Sequence, residues 1–153
     1  MSYRVDHDES IPSVVSRLKE EHREIDRRLE QISEFTEKKS GDLKVAVSML
    51  NTISPVILRH AVEEEARLAQ VIMNASETRK RSDGSVRILQ EHRRIKEFYD
   101  ELPYLLDEHS KEESRKTISE FVDLVTNHHK EEEKEAFPLA LSASPMVHNT
   151  IKN

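Results

Sequence analysis

The sequence predicts an all-α protein, an up-down-up-down four-helix bundle, and three observations lead there. Glycine and proline are scarce, two and five in 153 residues, which leaves little material for the turn-dense connections of an all-β fold. Charged residues make up 35 % of the chain, and Glu, Lys, Arg, Leu and Ala dominate its long segments, a composition of amphipathic helices. Apolar residues, also 35 %, recur at helical spacing on four segments separated by short polar breaks. That fraction is low for a globular domain, so each helix has one stripe to give to a core. The length suits one domain of that kind and is short for two.

The first helix is expected after Ser10-Ile11-Pro12, a polar cap with proline in the first turn. It carries Val15, Leu18, Ile25, Leu29 and Ile32 on one face and fades near Lys38, where Ser40-Gly41-Asp42 predicts a turn. The second helix carries Leu50, Ile53, Ile57, Leu68 and Val71 to about Asn74. Pro55 lies inside it, and because the pattern resumes at once it predicts a local kink rather than an end. Ser82-Asp83-Gly84 predicts the next turn. The third helix carries Ile88, Ile95, Tyr99 and Leu102, with Pro103 kinking or ending its last part. The fourth starts near Lys111, carries Ile118, Phe121, Val122 and Val125, and is expected to stop at Pro138. Residues 1–141 thus read as one domain, and the polar stretch Ser142 to Asn153 as a loose tail. Short connections make consecutive helices antiparallel neighbours.

Several partners are disfavoured. A formal net charge of −6 argues against nucleic acid, whose phosphates need a basic surface; the basic run Arg79-Lys80-Arg81 reads as a solvated helix end. No apolar run is expected to reach the ~20 residues that span a bilayer, and the first residues lack the apolar core of a signal peptide. Cysteine is absent, so there is no disulfide framework, thiolate metal site or cysteine nucleophile. A cytoplasmic location is the resulting expectation. No nucleophile–base constellation and no phosphate-cradling glycine loop is visible.

The chemistry lies in an internal repeat. Glu21-His22-Arg23-Glu24-Ile25 on the first helix recurs as Glu91-His92-Arg93-Arg94-Ile95 on the third. His60-Ala61-Val62-Glu63-Glu64-Glu65 on the second recurs as His128-His129-Lys130-Glu131-Glu132-Glu133 on the fourth. The offsets are 70 and 68 residues. Each half is a helix with one His followed by a helix with His-x-x-x-Glu. Counting from the turns at ~1.5 Å per residue, His22 and His60 stand at levels within roughly 3 Å, and His92 and His128 match in the same way. Four histidines at one level, one per helix, suit a central metal site. His22 and His92 lie roughly 40–50° to one side of their apolar stripes, His60 and His128 roughly 60–70° to the other. Glu64 and Glu132 fall nearer the stripe centre, where a buried carboxylate needs a partner and a cation suits a neighbouring His. Helical spacing alone leaves His128 and His129 open, since each has a Glu four residues on. The repeat selects His128 with Glu132.

Simpler explanations compete with this. One His-x-x-x-Glu pair arises easily in a chain so rich in Glu and is more often a solvated helix face; His109 with Glu113 reads that way. Two pairs in repeat register, with two single His at matching heights, are much harder to obtain by accident. His7, His109, His129 and His148 are expected on the surface. Glu21 and Glu91 read more readily as solvated charge than as orienting partners of ligands. Tyr99, on the stripe two turns beyond His92, reads as packing before a redox role, and Lys96 as a surface lysine before a group beside the site.

These residues resemble the hemerythrin-like family, the HHE cation-binding domain, over nearly the whole chain. The most specific stretch is His128-x-x-x-Glu132-Glu133-x-x-Ala136-Phe137-Pro138, with a weaker copy at His60-x-x-x-Glu64-Glu65-x-x-Leu68. The resemblance implies a left-handed bundle around two non-haem iron ions, oxo- or hydroxo-bridged. His22, His60, His92 and His128 would be terminal ligands, with Glu64 and Glu132 bridging. One departure is informative. Oxygen-carrying hemerythrins have a further His one turn along the third helix, where this chain has Lys96. The remaining four-His, two-Glu set is similar to that of bacterial repair-of-iron-centres proteins, although the cysteine-bearing segment of some of them is missing. His and carboxylate donors also suit manganese or zinc. A small diatomic gas or peroxide is the partner this implies. Sensing, gas or peroxide chemistry, or iron supply for repair, is then the leading expectation, ahead of iron or zinc buffering and of a purely structural bundle.

Overall fold

In the computed structural model the described residues, 5–37, 42–74, 79–108 and 110–143, are helical almost throughout, and no strand occurs among them. Helix α1 spans Ile11–Glu37, α2 Leu43–Glu63, α3 Gln70–Asn74, α4 Arg79–Glu101, α5 Leu105–Glu108, α6 Lys111–Glu131 and α7 Phe137–Ala143. A π-helical turn, Glu64–Ala69, carries α2 directly into α3, and a second, Glu132–Ala136, carries α6 into α7. A 3-10 turn, Leu102–Tyr104, joins α4 to α5. Four rods result: α1, α2 with α3, α4 with α5, and α6 with α7.

Local chemistry accounts for most of the ends. Ser10 Oγ accepts the Ser13 N–H at 3.3 Å, Asp42 Oδ1 the Lys44 N–H at 2.9 Å, and Ser110 Oγ the Glu113 N–H at 3.2 Å, satisfying donors that a helix start leaves open. Pro55 stays inside α2. Pro103 heads the 3-10 turn, where its missing N–H is tolerated.

Three sequence expectations are corrected. Ser82-Asp83-Gly84 is not a turn: the backbone is already helical from Arg79, and glycine in a helix costs only ~1 kcal/mol against Ala, which neighbouring turns absorb. The side chains of Arg79, Lys80 and Arg81 lie outside the described residues. The fourth rod does not stop at Pro138 but runs through it to Ala143. In the π turn the Phe137 N–H bonds Glu132 O, five residues back, and a proline next to such a widened turn removes a donor where the regular ladder is already interrupted. Residues 144–153 lie outside the described residues. Finally, Leu43–Met73 is by length and composition apolar enough to cross a bilayer, contrary to expectation. Its buried face nevertheless carries His60, Glu63, Glu64 and Arg67, groups that a hydrocarbon core penalises.

The core is split in two. One cluster gathers Ile25, Leu29 and Ile32 of α1, Leu50, Ile53 and Ile57 of α2, Ile95 and Tyr99 of α4, and Phe121, Val122 and Val125 of α6. The other gathers Ile11 to Leu18 at the start of α1, Leu68 and Ile72 late in the second rod, Ile88 early in α4, and Ala136, Phe137 and Ala140 at the end of the fourth. Early residues of odd rods meet late residues of even ones, so the order is up-down-up-down. Between the clusters, at one level, every rod contributes polar residues: His22, His60 with Glu64, His92, and His128 with Glu132, each buried. Full burial of a Leu, Ile or Phe is worth ~1.5–3 kcal/mol. The two clusters can therefore offset a polar layer in which an unpaired buried ion costs several kcal/mol.

Candidate metal centre

All six residues of the layer face one another. The side chains of His22, His60, Glu64 and Glu132 offer one donor atom each within a span of 4.8 Å, and so do those of Glu64, His92, His128 and Glu132. Both carboxylates belong to both groups. The arrangement therefore has room for two cations, each between the two histidines of one half of the repeat, with Glu64 and Glu132 shared. The Nε2 atoms point inward: His22 Nε2 lies 3.5 Å from Glu64 Oε2 and 3.4 Å from Glu132 Oε1, His60 Nε2 3.3 Å and His92 Nε2 3.1 Å from Glu64 Oε1, and His128 Nε2 3.1 Å from Glu132 Oε1.

These short distances are mostly not hydrogen bonds. Seven buried side-chain polar atoms have no hydrogen-bond partner among the described residues, and six belong here: Nε2 of His22, His60 and His128, Glu64 Oε2, and both Glu132 oxygens. Buried polar atoms in folded proteins are overwhelmingly paired. A cluster of orphans, each a lone-pair donor aimed at the same space, fits cations.

Each imidazole is held from behind by a carboxylate. Glu133 faces His22 Nδ1 at 3.3 Å, Glu21 His60 Nδ1 at 2.9 Å, Glu65 His92 Nδ1 at 3.0 Å and Glu91 His128 Nδ1 at 2.5 Å. An ionised carboxylate only accepts, so Nδ1–H donates in every case and Nε2 is left to face the interior, where a bound cation would take the place of its proton. Glu21 and Glu91 are accordingly not solvated charges. They are half-buried and serve a histidine on the neighbouring rod, which inspection of one helix cannot show.

The potential inside is negative. Burial alone would depress the histidines, yet the surrounding carboxylates hold His22 and His92 up at about 9, His60 at about 10 and His128 at about 11. Despite its burial, the charge and hydrogen bonds of His60 and its neighbours hold Glu64 well below the usual carboxylate range. Burial and the Glu64 charge push Glu132 up.

Both π turns begin at the shared glutamates, Glu64 and Glu132. His60, Glu64, Leu68 and Ile72 are spaced by four, as are His128, Glu132, Ala136 and Ala140. At ~3.6 residues per turn such a run drifts ~40° per step. The wider turn takes up the drift, so that carboxylate and following apolar residues share the interior face. The regular four-residue spacing was the signal for it.

His129 is a further correction. It is not on the surface: it is 2 % exposed, stacks on His22 with centroids 3.8 Å apart, and bonds Asp26 Oδ1 through Nδ1 at 2.7 Å. Burial pushes its imidazole down to about 4 against the pull of Asp26. His7 is exposed, as expected; His109 and His148 lie outside the described residues. Lys96 is exposed. Tyr99 packs edge-on to Phe121 at 5.2 Å, with its hydroxyl pushed up by burial, a packing role. A cleft of about 20 Å³ reaches His128 and Glu132 past Arg87 and Glu91, room for about one water-sized molecule.

The family model for the hemerythrin HHE cation binding domain matches residues 2–72 and 83–153. The chain belongs to that family. The two matched segments coincide with the two halves of the repeat, so each half of this HHE domain carries the His and His-x-x-x-Glu pattern. No curated protein and no solved structure matches the chain. As a family the HHE domain binds cations, and the buried His and Glu groups are compatible with that.

Proposed function

We propose that this HHE domain holds two iron ions in the polar layer and binds or reacts with a small ligand there, O₂, nitric oxide or peroxide. His22 and His60 would serve one ion, His92 and His128 the other, and Glu64 and Glu132 both. The observation that carries this reading is the pair of four-residue donor groups sharing both carboxylates, with six orphaned polar atoms on five of their six residues. Nitrogen and oxygen donors without thiolate suit iron, with manganese and zinc as competitors. When bound, an iron pair supplies ferrous–ferric electron exchange to a small ligand.

The chain's own residues do the rest. Glu21, Glu65, Glu91 and Glu133 fix the imidazole tautomers. The apolar clusters above and below exclude bulk water, and the cleft beside His128 admits a molecule of water-like size. With four protein donors at each position, open places remain for such a ligand.

The test is elemental analysis of protein produced with iron, paired with optical spectra before and after exposure to air, nitric oxide and hydrogen peroxide. Two irons per chain with near-ultraviolet bands that respond to these ligands are expected. Less than one iron, or one zinc, overturns the two-iron reading. Two irons with no optical response leave the centre and overturn the reactivity.

A further inference from the structure

The His129–Asp26 pair breaks the repeat. Shifted by the repeat offsets, His129 corresponds to Ala61 and Asp26 to Lys96. One end of the polar layer therefore carries a buried imidazole for which the other end has a methyl group. A ring nitrogen of His129 lies within 4.8 Å of ring nitrogens of His22 and His60. Since Nδ1 is turned to the Asp26 carboxylate at 2.7 Å, the nitrogen left for the site is Nε2. Asp26 accepts from Nδ1–H, so in the neutral ring the lone pair is on Nε2.

The ring geometry excludes the simplest role. An imidazole holds a cation in its own plane, along the lone pair. His129 and His22 are stacked 3.8 Å apart with planes only 13° from parallel, so a single cation cannot lie in both planes. His129 therefore does not share the His22 cation. What it offers is an acceptor nitrogen beside the His22–His60 position, held in place by stacking on one side and by Asp26 on the other.

We propose that His129, oriented by Asp26, is the specificity-determining residue of the His22–His60 position: its Nε2 accepts a hydrogen bond from a protic ligand such as water, hydroxide or hydrogen peroxide, and disfavours an aprotic anion. This rests on the reading that the position holds iron. The Ala61–Lys96 end provides no such acceptor, so the two ends of the centre differ in the ligand they favour although their histidines match.

The experiment compares the iron-loaded full chain with its His129→Phe, His129→Leu and Asp26→Asn variants, using azide as probe. Iron is counted first, and azide is then titrated against its visible charge-transfer band. Phe keeps a stacked ring and removes the nitrogen; Leu, which is smaller, gives the same comparison should Phe not fit. Both are expected to keep two irons and to bind azide about tenfold tighter or more, the size of one hydrogen bond involving a charged group. Asp26→Asn removes the charge that fixes the proton on Nδ1 and lets the amide pair with either tautomer, so it is expected to tighten azide as well, but by less than the His129 variants. Unchanged azide affinity in the folded, two-iron variants makes His129 a packing residue and overturns the proposal. Loss of an iron makes it a ligand and overturns it equally. A wild-type chain that takes up no iron pair sinks the reading of the centre itself, before any variant is compared.

Discussion

The two halves of the repeat build the same cage with different supports. In each, a single His and a His-x-x-x-Glu face the centre, and a glutamate from the neighbouring rod bonds each imidazole from behind. Behind those glutamates the halves diverge. Arg17 bonds Glu21 at 3.0 Å and Glu63 at 2.5 Å, so the partner of His60 is itself braced. Arg87, which corresponds to Arg17, turns instead to Glu135 at 2.7 Å and lies 3.8 Å from Glu131. Glu91 is left to His128 with Arg87 acting on it only through space. The inner residues are thus near-duplicates, while the outer ones differ, because only the inner ones converge on one shared interior space.

The largest expected effect lies where the halves merge. Glu64 and Glu132 each belong to both donor groups, so Glu64→Ala and Glu132→Ala should each empty both positions, whereas His60→Ala or His128→Ala should affect mainly one. Elemental analysis after dialysis checks this: near-zero iron for either glutamate variant, and a partial loss for either histidine variant. If a glutamate variant keeps one tightly held iron, the carboxylates are not shared.

The apolar clusters give the next comparison. Phe137 is fully buried in the smaller one and stacks on His22 at 5.3 Å and 16°, whereas Phe121 lies in the larger one against Phe98 and Tyr99. Either Phe→Ala change should cost ~3–5 kcal/mol by thermal or denaturant unfolding. Only Phe137→Ala should also weaken iron retention, because it frees the His22 ring. Equal effects on iron would mean that the ring contact is incidental.

The outer supports should show a smaller, graded asymmetry. Removing an orienting carboxylate behind a ligand typically costs ~10–100-fold in metal affinity, and Glu21→Ala and Glu91→Ala should both fall in that range. Arg17→Ala should reproduce part of the Glu21 loss. Arg87→Ala should have little effect, since its main partner is exposed Glu135 and exposed pairs contribute ~0–1 kcal/mol. Competition with a chromophoric chelator measures all four; equal losses for the two arginine variants would remove the distinction between the halves.

How much of this could be read from sequence follows the same division. The bundle and the meeting of the six inner residues were legible, because helical period, height and the repeat are properties of one rod or of two compared rods. The support by Glu21 and Glu91 was not, because each bonds a histidine on another rod and within its own helix looks like solvated charge. His129 was misplaced for a related reason. Only one of two adjacent histidines can occupy the repeat position, but a rod packed against its neighbours buries a wide face, and the adjacent His129 finds Asp26 on α1. The run onward from Pro138 was hidden because a proline after a period-of-four run marks a π turn as well as a stop.

Lys96 supplies the smallest effect and the sharpest limit on the asymmetry. By the repeat it stands opposite Asp26, yet it is exposed, and the residue corresponding to His129 is Ala61. A lysine with its head in water contributes little to folding; surface substitutions away from special features stay within ~0.5 kcal/mol. Lys96→Ala should therefore leave the melting temperature, the iron count and the azide affinity unchanged, while Asp26→Asn moves the last of these. A Lys96→Ala variant whose azide affinity drops would mean that the ammonium reaches the His92–His128 end from solvent. Both ends of the centre would then be tuned, one by a buried lone pair and the other by a positive charge reaching in from solvent.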